Sequence, residues 1–178
     1  MGEYRKNNHV PGHLYAAGMV YMVTARTYRK YPVFNTPEKL GTLQGVIQER
    51  CKVAGWDLRA WVVLLDHYHF LARAPDDGNI PWLVKSIHSK SAILVNRMDD
   101  ITGRRVWYNY WDTCIRSETD YSNRLRYIHL NPERHGVVKD FREYPYSSYK
   151  IFFESNDDIV QELNTASRSF DMDAEDDY

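Results

Sequence analysis

Residues 56–74 read WDLRAWVVLLDHYHFLARA, an apolar and β-branched run that passes directly into His67-Tyr68-His69 with Asp66 at the junction. This density of Val, Leu, Trp and Phe suits strands. The stretch predicts two strands, 56–65 and 67–74, or one bent hairpin breaking near Asp66. Residues two apart in a strand share a face and lie about 6.5 to 7 Å apart along the backbone. His67 and His69 therefore point the same way, and their imidazoles can converge on one cation. Two histidines leave a divalent ion mostly open, so a third protein group and a substrate oxygen would be needed. The alternative is a pair of surface or hydrogen-bonded histidines. Leu64, Leu65, Phe70 and Leu71 flank the pair and argue against a merely solvated face.

Working outward, residues 1–13 are a polar arm containing Pro11 and Gly12, and MVYMVTAR predicts a strand over 20–26. Thr36-Pro37-Glu38 supplies a hydroxyl cap, a proline in the first turn and an acid at the positive end of the dipole. With Leu40, Leu43, Ile47 and Cys51 as a stripe and Gly55 as a stop, a helix is expected over 37–54. After a turn at 75–78, Ile80, Leu83, Val84, Ile87, Ala92 and Val95 give a second helix over 80–97, with Lys85, Ser89 and Lys90 off the stripe. RRVWYNYWDTCI (104–115) reads as a fourth strand, in which Trp107 and Trp111 are either core or stacking surfaces, core being the preferred reading. Ser117 and Asp120 form a capping box for a third helix that starts near Glu118 and ends near Asn131, before Pro132. YPYSSYKIFF (144–153) packs back on the domain, and 157–178 reads as a frayed helix followed by a disordered tail. The order β, α, β, β, α, β, α predicts an α+β fold, a small antiparallel sheet with helices on one face.

The 178 residues, 43% of them hydrophobic, suit one globular domain over 1–153, followed by an acidic flexible tail over 154–178. The formal net charge of -1 conceals an asymmetry, because residues 154–178 carry nine acids and one base and leave the rest of the chain at +7. A basic body suits an anionic partner such as nucleic acid, or is ordinary solvated surface. Arg26, Lys90, Arg104 and Arg105 are the candidate nucleic-acid contacts. Cys51 and Cys114 lack any ligand spacing and read as reduced cytosolic thiols. Without a signal peptide or a run approaching the roughly 20 apolar residues of a span, a cytoplasmic, membrane-free protein is expected.

On the third helix, Tyr121, Leu125 and Ile128 form the apolar stripe, while Tyr127 and Asn131 are i, i+4 neighbours on its flank. A tyrosine beside an amide suits a nucleophile next to a metal ligand. With an unperturbed pKa of about 10, a phenol is a poor nucleophile at neutral pH without assistance. A metal would act on the electrophile instead, drawing charge from a phosphate oxygen and orienting a phosphodiester for in-line attack. The product would be a phosphotyrosine that another hydroxyl can reverse, so strands could be cut and rejoined without ATP. The bland readings are that Tyr127 is one packing tyrosine among 14, and that Asn131 is a C-terminal cap.

PGHLY, YMVTAR, DHYHFLARA, WYNYWDT, RYIHLNPERHGVV and YPYSSY, in this order over about residues 10–152, resemble the single-tyrosine HUH transposases, specifically the REP-associated tyrosine transposase branch. The resemblance implies a ferredoxin-like domain acting on single-stranded or hairpin DNA with Mg²⁺ or Mn²⁺, as a monomer or homodimer. By position it implies His67 and His69 as metal ligands, Asn131 as the third, amide ligand, and Tyr127 as the nucleophile that joins the DNA 5′ phosphate and frees a 3′ hydroxyl. The alternative function is a non-catalytic DNA or RNA hairpin-binding module on the same fold. Two departures stand out: Asp66 occupies a position where asparagine is common, and AAGMV between HLY and YMVTAR looks inserted.

Overall fold

The computed structural model describes residues 17–154; the polar arm, the PGHLY stretch and the acidic tail beyond residue 154 lie outside the described residues. The β-branched and aromatic runs form β1 (Val20–Thr27), β2 (Asp57–Val63), β3 (His67–Arg73) and β4 (Trp107–Ile115). They make one sheet in the order β2-β3-β1-β4, every pairing antiparallel. The expected break between β2 and β3 is a tight turn in which Leu64 N–H donates to His67 C=O at 2.8 Å. Asp66 C=O accepts from Thr27 N–H at 2.8 Å, which ties the turn to the end of β1.

Helix α1 (Pro37–Val53) starts where Thr36 Oγ1 accepts from Lys39 N–H at 3.3 Å. It ends at Gly55, whose φ of +70° lets Trp56 N–H reach back to Cys51 C=O at 2.9 Å. Helix α2 (Ile80–Met98) is capped by Asn79, and helix α3 (Glu118–Arg134) by Ser117, whose Oγ accepts from Asp120 N–H at 3.1 Å. The α3 end differs from expectation: the helix runs through Pro132 to Arg134. Its stop is Gly136, with φ +65°, where Val137 N–H returns to Pro132 C=O at 2.9 Å and Gly136 N–H to Glu133 C=O at 2.9 Å. The left-handed glycine terminates α3, and burial of Leu125, Ile128 and Pro132 itself outweighs the missing proline N–H.

The α+β class and antiparallel sheet are as expected, with α1 and α2 together on one face. Tyr21, Val23 and Ala25 of β1 and Tyr68, Phe70 and Ala72 of β3 meet Leu43, Ile47, Leu83 and Ile87 there. The third helix departs from the one-face arrangement. Met22, Val62 and Leu71, on alternate strand positions, pack with Leu125, Tyr127 and Ile128 on the opposite face. Trp107 is core as preferred, at 8% exposure, whereas Trp111 is half-buried and lines a cleft.

The segment 144–148 packs back as anticipated and closes the β2 edge. Val63 N–H donates to Tyr146 C=O and Ser148 N–H to Trp61 C=O, both at 2.9 Å, and Tyr144 O–H donates to Val63 C=O at 2.7 Å. Helix α4 (Tyr149–Glu154) follows. Among the described residues no helix is long and apolar enough to cross a membrane.

Candidate active site

Strand alternation and the β1–β3 register place the polar groups of the α3 face. His67 lies opposite Arg26 and His69 opposite Thr24. Both histidines are buried, as are Tyr127 and Asn131 on α3, so four polar side chains meet where an apolar layer would otherwise form. The His67 and His69 ring centroids are 5.2 Å apart, the Tyr127 ring stands edge-on to His69 at 5.0 Å, and His67 Nε2 lies 3.2 Å from Asn131 Oδ1. The sequence candidates Tyr127, His67, His69 and Asn131 therefore share one site.

Each histidine is held through its other nitrogen. Asp66 Oδ1 lies 2.6 Å from His67 Nδ1, and Thr24 Oγ1 lies 2.8 Å from His69 Nδ1. Burial alone would raise the Asp66 carboxyl. The hydrogen bond to His67 and the charges of His67, Arg26 and His135 together hold it below the ordinary value. An ionised carboxylate only accepts, so His67 Nδ1 carries the proton donated to Asp66. The His67 Nε2 faces the amide oxygen of Asn131. Burial, followed by the positive neighbours His67, Arg26, His135 and Arg134, pushes His69 well below the usual histidine range. His69 is therefore neutral, and its Nε2 is buried with no hydrogen-bond partner, as is Asn131 Nδ2. Among the described residues no three His, Cys, Asp or Glu side chains converge as a metal-holding group. The Asn131 amide oxygen is the further donor brought beside His67.

A cleft of about 310 Å³ opens beside Tyr127 where α3 leaves β1 and β4 uncovered; Met22, Thr24, Arg26, Trp111 and Arg124 also line it. The Arg134 guanidinium carbon sits 5.3 Å from the Tyr127 ring centre. Thr24 and Arg134 were not singled out from the sequence. Thr24 is found only by register, and Arg134 only once α3 is known to continue past Pro132.

The basic candidates separate. Arg26, 7% exposed, lies within the site, whereas Arg105 lies beside the Tyr28 ring that follows β1, its guanidinium 4.6 Å from the ring centre. Lys90 pairs with Glu49 between α2 and α1, on the other face of the sheet. Arg104 is engaged by Asp99 at 2.7 Å and Asn96 at 2.8 Å, where it braces the loop after α2. Neither Lys90 nor Arg104 is brought to the histidines.

The family described as Transposase IS200 like matches residues 16–131, a span that contains all four buried polar residues. The chain belongs to the IS200-like transposase family. This IS200-like chain is 30% identical over 99 residues to the REP-associated tyrosine transposase of Escherichia coli (strain K12), an alignment covering 53% of this chain and 54% of that protein. The match thus spans about half the length of that relative. In three dimensions the chain superimposes on a solved REP-associated tyrosine transposase bound to a REP hairpin with a TM-score of 0.71, at 23% identity, over 98% of this chain and 96% of the other. That likeness establishes the fold.

Proposed function

We propose that this protein is a metal-dependent single-stranded DNA endonuclease and strand transferase that nicks DNA near hairpins through a covalent 5′-phosphotyrosine at Tyr127. The observation that carries the proposal is the meeting of Tyr127 with His67, His69 and Asn131 on one sheet face, with His67 Nε2 and Asn131 Oδ1 only 3.2 Å apart. Packing alone does not call for buried nitrogens without partners. The hairpin substrate is supported by the E. coli relative's name and by the REP hairpin in the structural relative.

His67 and His69, through Nε2, and the Asn131 amide oxygen would hold Mg²⁺ or Mn²⁺. When bound, the ion supplies Lewis-acid polarisation of a non-bridging phosphate oxygen. Asp66 and Thr24 keep the imidazoles oriented, a role such outer partners commonly take. Arg26 adds a fixed positive charge beside His67 that favours a phosphate at the cleft. Tyr127 Oη then forms a bond to phosphorus as the P–O3′ bond breaks. The phenolic proton is lost to solvent and the departing 3′ oxygen takes one up, so that the net step moves one proton from Tyr127 to the 3′ hydroxyl.

The test is incubation of labelled single-stranded hairpin DNA with Mg²⁺ or Mn²⁺, comparing wild type and Tyr127→Phe on a denaturing gel. A metal-dependent protein–DNA band present in the wild type and absent from the variant is expected. Tight hairpin binding without an adduct, across both metals, would instead identify a binding module.

A further inference from the structure

Helix α3 carries a second line of residues besides its apolar stripe. Tyr127, Asn131 and Arg134 stand at i, i+4 and i+7, which puts the nucleophile, the amide and a cation along one side of the helix. Arg134 joins that line because α3 continues through Pro132 to Arg134 before Gly136 stops it. A helix ending at Asn131 would leave Arg134 in the connecting turn, off the line. Side chains on a helix lean toward its N-terminus, so a long one in the last turn reaches back over the turns before it.

Arg134 makes that reach. Its guanidinium carbon lies 5.3 Å from the centre of the Tyr127 ring. The same ring stands nearly perpendicular to that of His69, with centroids 5.0 Å apart and planes at 85°. Tyr127 is buried, whereas Arg134 is exposed. The cations of this region differ in what they meet. Arg26 and Arg124 line the cleft beside Tyr127, and Arg134 does not. A phosphate entering the cleft therefore meets Arg26 and Arg124, while Arg134 meets the ring of the nucleophile.

We infer that Arg134 is a positioning residue for Tyr127: the guanidinium and His69 together hold the phenol ring, and the guanidinium charge stays at that ring while its oxygen gains and loses the phosphorus. A cation within about 6 Å of an aromatic ring centre is attracted to it. The attraction grows as negative charge develops on the phenolic oxygen. In cleavage, Tyr127 Oη bonds to phosphorus as the P–O3′ bond breaks; the phenolic proton goes to solvent and the 3′ oxygen takes one up. In rejoining, a 3′ hydroxyl gives up its proton as its oxygen bonds to phosphorus, the Oη–P bond breaks, and Tyr127 takes a proton up. Both directions pass charge through the same ring, so both depend on Arg134.

The inference rests on the DNA-nicking reading, and its test separates the two. Adduct formation on a labelled hairpin oligonucleotide with Mn²⁺ would be followed in single turnover at saturating protein, and rejoining by adding a 3′-hydroxyl strand to the isolated adduct. Arg134→Met, similar in length and uncharged, should slow both directions about 3- to 30-fold, the range of one cation on a ring. Arg134→Lys, which keeps a cation of similar reach, should retain most of both rates. Hairpin affinity and its salt dependence, measured by fluorescence anisotropy in a Tyr127→Phe background, should not change on Arg134→Met. Weaker binding with a flatter salt slope would make Arg134 a phosphate contact and overturn the inference. Arg134→Lys as slow as Arg134→Met would overturn it too, because the charge would then not be the reason. If wild type forms the adduct and Arg134→Met matches its rates, the positioning role alone is lost. If wild type forms no adduct, the nicking reading falls and this one with it.

Discussion

On β3, Tyr68 and Phe70 turn into the layer built with α1 and α2, while His67 and His69 turn toward α3. All four are buried, yet they do opposite work. On the first face two helices complete an apolar layer, and several of its polar members bond to one another. His88 stacks on Trp107 at 4.4 Å and bonds to the Tyr68 hydroxyl at 3.0 Å, and Trp107 Nε1 donates to Ser91 Oγ at 3.0 Å. On the second face one helix stops short of β4, and buried nitrogens remain without partners. What distinguishes the second face is that its unpartnered atoms, His69 Nε2 and Asn131 Nδ2, gather close to a cleft.

Adjacent residues on β3 give the sharpest way to break this comparison. Phe70→Ala should cost about 3–5 kcal/mol of stability, as large core truncations do, read by denaturant titration. His69→Ala should cost less than about half of that, since the imidazole already leaves one nitrogen unpaired, while abolishing the DNA adduct. Equal losses of stability would mean the two faces are not built differently.

A smaller effect concerns the tie between α3 and the closed edge of the sheet. His129 Nε2 lies 2.9 Å from Ser148 Oγ, which also accepts from Trp61 N–H at 3.0 Å. Ser148→Ala leaves buried groups unpaired and should cost about 1–3 kcal/mol, measured by thermal or denaturant unfolding. Because His129 lies between Tyr127 and Asn131 on α3, adduct formation should slow as well.

A pH dependence follows from the buried His88. Burial pushes His88 down to about 3. The folded protein holds His88 neutral to that pH, whereas the unfolded chain takes up the proton near 6.5. The unfolded state thus binds more protons between those values, and stability falls as pH drops through the window. His88→Phe should flatten this slope in unfolding measured from pH 6.5 to 4, even if it lowers stability at neutral pH.

Much of the fold was legible because its signals are local. Thr36-Pro37, Ser117 with Asp120, and the break at Asp66 set element starts within about a turn of where they lie. Two features escaped because they are set by tertiary contacts. Proline at 132 reads as a stop, but the true stop is Gly136, and only packing of Leu125 and Ile128 makes the extra turn worthwhile. The placement of α3 opposite α1 and α2 is likewise absent from periodicity, which gives a helix its apolar stripe but not the face of the sheet it meets. Within the site, type and spacing offer His67 with His69 and Tyr127 with Asn131 as candidates, and the family resemblance is what assigns their roles. Thr24 required the β1–β3 register. Lys90 and Arg104 were chosen by charge alone, and their pairing with Glu49 and Asp99 shows how little a basic residue in sequence says about its surroundings.

The segment 144–148 has a practical meaning for anyone handling this chain. The family match ends at residue 131, so a shortened version cut there, or just after α3, would look complete by homology. Such a protein would lose the backbone that covers Trp61 and Val63, leaving β2 as a bare edge with apolar flanks. Bare apolar edges recruit other strands. The expected consequence is precipitation or fibrillar self-association rather than a minimal enzyme.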